Sequence, residues 1–216
     1  GRRQLSDQYA KLAASDGASY DLFGISMAID GDTVVVGAIN DDDGGSESGA
    51  AYVFRTTDGW DTHIELKLMA ADAAANDLFG YSVAINGNTV VVGAVQSDNG
   101  GTGAAYVFRT SDGGATYNEV AKLTASDAAS GYQFGFSVAI DGDTVVVGTV
   151  RDCVYIFRTT DGGATYGQVA KLTADDVTNG FGRSVAIDGD TVVIGAYQDD
   201  DGGTYSGATY VFRTTD

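Results

Sequence analysis

Apolar and polar positions fall into the same order four times along this chain. The stretches 33–37, 89–93, 144–148 and 191–195 are runs of β-branched residues closed by a glycine. Ahead of each lies a short segment of the type Ser82-Val83-Ala84-Ile85, then Asp30-Gly31, Asn86-Gly87, Asp141-Gly142 or Asp188-Gly189. Short runs joined by such pairs predict a two-stranded hairpin. A type I′ turn needs positive φ at both central residues, which Asn, Asp and Gly tolerate. Runs apolar at every position predict strands covered on both faces, and the closing glycine predicts close backbone approach.

A third strand is predicted at 51–55, 105–109, 154–158 and 209–213, with Tyr and Phe on one side and the residues between them on the other. Its Tyr-x-Phe pair is expected to pack between units, and its recurrent Arg to pair on the surface or across units. A fourth strand, roughly alternating around Lys-Leu, is predicted at 65–70, 120–125 and 169–174. The same element occurs as Tyr9-Ala10-Lys11-Leu12, ahead of the first unit. The phenylalanines that open the units, Phe23, Phe79, Phe134 and Phe181, stand 56, 55 and 47 residues apart. A period of this size means a solenoid, propeller or array. The fold expected is all-β: a β-propeller of four blades, each of four antiparallel strands, in one domain over 1–216. The blades would be 23–70, 79–125, 134–174 and 181–216, the last completed by 9–14, which closes the ring and removes free sheet edges.

Composition narrows the function. The chain has 216 residues, 12 basic against 30 acidic, and a formal charge of −18. Phosphate binding needs Lys and Arg clusters, so nucleic acid is excluded as a partner, and an anionic membrane surface with it. No run is long and apolar enough for a spanning helix, so membrane insertion is not expected. An apolar share of 44 % is not that of a disordered acidic chain. The single cysteine, Cys153, lies in a strand pattern and reads as a buried structural thiol. The chain carries no initiator Met and no signal-peptide pattern, the look of a mature product or an excised fragment.

The stretch Phe-Gly, Ser-Val-Ala-Ile-Asp-Gly-Asp-Thr-Val-Val-Val-Gly-Ala resembles the FG-GAP repeat of the integrin α-subunit head, and most closely a secreted subtype of that family. The resemblance covers nearly all of 9–216 and implies a propeller that is extracellular and binds rather than catalyses. Three features depart from it: Ile39, Val95, Val150 and Tyr197 stand in place of the Pro, there are four copies rather than seven, and a two-residue turn replaces the integrin calcium loop. The turns at 110–117 and 159–166 resemble the Asp box of sialidase-like propellers, where Asp112 and Asp161 would accept backbone and Thr hydrogen bonds. In the first copy Trp60 replaces a Gly and His63 the aromatic, and the last copy stops at Thr214-Thr215-Asp216. These turns are expected to be structural.

Candidate chemistry lies in the loops between strands two and three, at Asp41, Asp42 and Asp43, at Asp98, and at Asp199, Asp200 and Asp201. In an up-and-down blade these loops share one face with the four-to-one loops carrying Asp16, Asp21, Asp72, Asp77, Asp127, Asp175 and Asp176. Asp-rich loops turned by Gly can supply the hard oxygens calcium wants; a merely solvated acidic rim is the other reading. In the third unit the loop shrinks to Thr149-Val150-Arg151-Asp152, notching the rim and placing Arg151 where a partner would approach. His63 is the only histidine, which leaves little for a His-based triad, and no enzyme activity is expected. The function expected is an extracellular adhesion or structural-assembly propeller, calcium-stabilised, with a protein or glycan partner or self-assembly. A carbohydrate-binding module using exposed Trp60 or tyrosines is the alternative, and a propeller glycosidase ranks below it.

Overall fold

A computed structural model describes residues 8–97, 101–175 and 180–213. Its strands fall into four antiparallel sheets. Sheet one orders β1 (Met27–Asp30), β2 (Thr33–Ala38), β3 (Ala50–Arg55) and β4 (Ile64–Leu68). Sheet two holds β5 (Phe79–Asn86), β6 (Thr89–Ala94), β7 (Ala104–Arg109) and β8 (Asn118–Leu123). Sheet three holds β9 (Ser137–Asp141), β10 (Thr144–Gly148), β11 (Val154–Arg158) and β12 (Gly167–Leu172). Sheet four has three strands, β13 (Phe181–Asp188), β14 (Thr191–Ala196) and β15 (Ala208–Arg213). Each is a meander of sequence neighbours, as in a propeller blade.

The hairpin between strands one and two turns differently from the sequence expectation. Asp30 pairs with Thr33, so the loop is Gly31-Asp32, and only the glycine has positive φ (55°). The same holds for Gly87, Gly142 and Gly189. One positive φ, at the first central position, is the pattern of a II′ turn; the Asp or Asn lies at the strand end instead.

Blades pack face to face through the period-two alternation of their strands. Val35, Val53 and Leu68 of blade one enter one core with Phe79, Val90 and Tyr106 of blade two, while Tyr52 and Phe54 point the other way. The glycine ending each Val run is the point of closest approach. A Cβ on Gly37, Gly93 or Gly148 would run into the carbonyl oxygen of Gly80, Gly135 or Gly182 in the next blade. Those oxygens accept from Ser26, Ser82 and Ser137 at 2.7–2.8 Å. At the far end of the inner strand, Asp30, Asn86 and Asp141 accept from the amides of Gly87, Gly142 and Gly189.

The expected closing strand is not formed. Residues 9–14 have no ladder partner, and Leu12 and Ala14 pack against Val36, Tyr52 and Phe54 of blade one. Ser15 N–H donates to Glu65 just as Ala71 N–H donates to Glu119 and Ser126 N–H to Gln168. The segment therefore lies on blade one as the fourth strand of a preceding blade would. Blade four is not beside it: β14 alternates between half-buried and buried, and β15 between half-buried and exposed.

Candidate functional site

The acidic loops and the four-to-one loops do share a face. Blade one brings together Asp16, Asp41 and Asp43, whose carboxylate oxygens lie within 4.8 Å of one another. The cation among them belongs to the protein. Lys67 on β4 places Nζ at 2.8 Å from Asp16, 2.7 Å from Asp41 and 2.5 Å from Asp43. The Tyr52 hydroxyl lies 2.8 Å from a carboxylate oxygen of each of Asp16 and Asp41, which share its one proton, and Lys67 Nζ sits 5.4 Å from the Tyr52 ring centre. Burial works against charge on Lys67, but the hydrogen bonds it donates to the three carboxylates more than offset it and its pKa ends above the usual lysine value. Tyr52 is raised by burial and by the two carboxylates it serves.

A lysine, an aspartate and a tyrosine meet in the same way in blades two and three. Lys122 pairs with Asp72 at 2.7 Å and Lys171 with Asp127 at 2.6 Å; the tyrosines between, Tyr106 and Tyr155, donate to the same aspartates. Burial pushes Tyr106 up to about 12. Each site rests on strand pairing: Tyr52 faces Lys67, Tyr106 faces Lys122 and Tyr155 faces Lys171 across strands three and four. In blade four Tyr210 donates to Asp199 at 2.8 Å, but no fourth strand brings a lysine there. Lys11, at the matching position of the 9–14 segment, is exposed and has no ion pair among the described residues.

The remaining loop acids hold their loops. Asp42 accepts from Glu47 N–H at 2.7 Å and Asp200 from Tyr205 N–H at 2.6 Å; Asp41 and Asp199 accept from the amides of Asp43 and Asp201. Asp98 and Asp176 lie outside the described residues, as does the turn at 214–216. A calcium ion does not fit the first loop as built, because Lys67 already uses the oxygens it would need. Arg151 is exposed and donates from Nε to the Gly131 carbonyl at 3.2 Å. Sequence reasoning missed the lysines and the tyrosine hydroxyls, although both recur at fixed positions. Trp60, expected to be exposed, is half-buried against the blade-one core, and His63 stacks edge-on to Phe54.

The opposite rim carries the Asp-box turns. Asp112 accepts from Thr110 and Thr116 hydroxyls and from Ala115 and Thr116 amides at 2.7–3.0 Å; Asp161 bonds in the same way within its own turn, and Asp58 accepts from Thr56 and Thr62 hydroxyls and the Thr62 amide. These carboxylates are occupied within their turns. Arg55 and Arg109 lie against Gly114 and Gly163 of the next blade's turn, so these two repeat arginines face neighbouring blades, while Arg158 donates from Nε to Thr144 of its own blade.

Comparison with known structures agrees with the blades. The designed protein Ika4 superposes with a TM-score of 0.59 at 16 % identity, over 96 % of this chain and all of that one. The designed Ika8 gives 0.53 at 14 % over 89 % of this chain, and U3-55K gives 0.54 at 15 % over 84 %. This chain covers 46 % and 52 % of those two chains, about half of each. No curated protein matches. The FG-GAP repeat model matches residues 7–54, 64–108, 117–166 and 166–212. With four repeat matches laid over four blades, this chain belongs to the FG-GAP repeat family.

Proposed function

We propose that this protein is a non-catalytic, extracellular binding propeller that engages a protein or glycan through the acidic rim. The supporting observation is the division of labour among the carboxylates. Asp16, Asp41, Asp72 and Asp127 are held by lysine and tyrosine, whereas Asp42, Asp200 and Asp201 stay exposed at the loop tips. The held acids build the rim and the exposed ones present charge. The Arg151 notch interrupts that charge and gives a partner an orientation.

The test is a glycan array and a pull-down from secreted proteins, comparing the wild type with D42N/D200N/D201N. Asn keeps the loop-closing acceptor at 42 and 200, so the variant retains the fold. Binding that falls at least tenfold in the variant supports the rim. Equal binding, or release of a chromogenic sugar by the wild type, overturns the reading. Calcium stabilisation, the narrower form of this proposal, has room among the described residues at the fourth loop of the single chain, where no lysine of that chain reaches Asp199. Melting of the chain diluted below micromolar, where single copies prevail, with calcium against chelator and magnesium as control, should then give a calcium-specific rise that D199N abolishes.

A further inference from the structure

Three blade junctions in this chain share one set of contacts, and the two outer faces carry the unmatched halves of a fourth. On blade four, Ser184 and Asp188 occupy the places of Ser26 and Asp30 but have no side-chain hydrogen-bond partner among the described residues, and a Cβ on Gly195 would meet only its own blade's Ser184. A cleft there is lined by Ser184, Gly195, Ala196, Gly207, Ala208 and Thr209. Its equivalents in blades one and two are filled by the next unit: Gly49 bridges Phe79, and Gly103 bridges Phe134. On blade one, Gly24 has nothing within 4 Å of where a Cβ would sit, and Met27 is 70 % exposed where Val83 is 9 %. Val211 is 64 % exposed where its counterpart Val53 is fully covered.

We propose that the blade-four face of one copy docks head-to-tail on the blade-one face of a second copy of this chain, remaking the internal junction between chains. Ser184 then donates to the Gly24 carbonyl, Asp188 accepts from the Gly31 amide, and Gly207 receives Phe23. The 9–14 segment, already held on its own blade one, pairs with the free edge of β15. In the register of the other blades this sets Lys11 opposite Tyr210 and delivers its ammonium to Asp199, the one described acidic loop lacking a lysine. Complementary charge and complementary edges thus meet in a single docking. One position departs from the pattern: Trp60 stands where Gly114 and Gly163 receive arginine, so Arg213 meets an indole face, a cation–π geometry.

A second copy is favoured over the chain's own blade four by the rigidity of the arc. Closing one chain on itself would require all three junctions to change angle, and each is clamped by glycine-to-carbonyl contact and a Ser hydrogen bond. Packed interiors resist such continuous deformation. Docking of a second copy alters none of them. An arc that overlays about half of a longer propeller chain leaves room for a second arc, and a head-to-tail contact closes when the rotation permits.

Sedimentation equilibrium on the 216-residue chain tests this. At tens of micromolar the wild type should sediment at twice 22.2 kDa. Met27→Asp and Val211→Asp alter exposed side chains on opposite faces, so each should keep its own melt and sediment as a monomer. An equimolar mixture of the two keeps one undamaged pair of faces and should regain a two-chain species. A monomeric wild type, or variants that stay paired when alone, or a mixture that fails to associate, overturns the proposal. The readout is mass, in buffer without any rim ligand, so its failure is separate from failure of the binding reading.

Discussion

The inner junctions and the two outer faces are built from the same residues and differ only in what covers them. Val53 and Val211 occupy the same strand position, one fully covered and the other mostly in solvent. Gly93 and Gly195 close equivalent strands, yet one abuts a carbonyl of the next blade and the other only Ser184 of its own blade. A side chain's energetic role here is set by its neighbouring blade. That makes the paired positions an internal control for each contribution.

The sharpest break in that comparison is at the glycines. Gly93→Ala should destabilise the chain by about 3 kcal/mol, because the new methyl must displace the Gly135 backbone. Gly195→Ala should leave the urea midpoint of the single chain nearly unchanged, since only the Ser184 hydroxyl must rotate. Equal losses at both would mean that the strand, not the junction, demands glycine.

Removing the lysines comes next. Lys67→Gln strands three carboxylates around one point and should cost roughly 2–3 kcal/mol, less than the ~3–5 kcal/mol of breaking a fully buried pair, because Asp16 and Asp43 remain partly solvated. Lys11→Gln should not move the monomer melt but should weaken self-association. Addition of calcium to the Lys67→Gln variant should recover part of its loss, read as a shift in melting temperature absent from the wild-type first loop.

Smaller again is the apolar pair. Val53→Ala should cost about 2 kcal/mol, as for a fully buried valine, and Val211→Ala less than about 0.5 kcal/mol in the single chain. Denaturant midpoints with unchanged slopes would confirm both.

The smallest effect is the titration of the Asp boxes, which depends on bonds within each turn and not on the neighbouring blade. Hydrogen bonds from Thr62 and Thr56 hold the exposed Asp58 down at about 2, from an ordinary 3.8. A depressed folded-state pKa contributes stability that is complete above the ordinary value and is lost as pH falls through the folded one. The melting temperature should therefore decline between pH 4 and pH 2, and less steeply in Asp58→Asn. Asp161 accepts one backbone hydrogen bond more, from Ala164, and is held lower still, so Asp161→Asn should give at least as large a change in slope.

Much of the fold was legible in the residues. Strands one to three, the Phe-Gly period and the Asp-box bonding recur as the sequence predicts, and strand four begins one or two residues early in the three blades that have one. The hairpin slipped by one residue because an Asp-Gly pair suits either of two turns, and only the strand register chooses between them. The candidate site was half legible. The loop acids do gather on one rim, but their partners come from far along the chain: Asp16 reaches Lys67 over 51 residues and Asp43 over 24. Local pattern carries no information about such pairings.

By itself the sequence determined the strands, the turns and the division of the chain into repeats, because each depends on alternation, turn chemistry and bonds within a few residues. The tertiary structure alone decided which faces are covered and which carboxylates are neutralised. A repeat spells the same residues whether or not a blade lies beside it, and only the packed arc reveals that Met27 and Val211 lack the neighbours that Val83 and Val53 have.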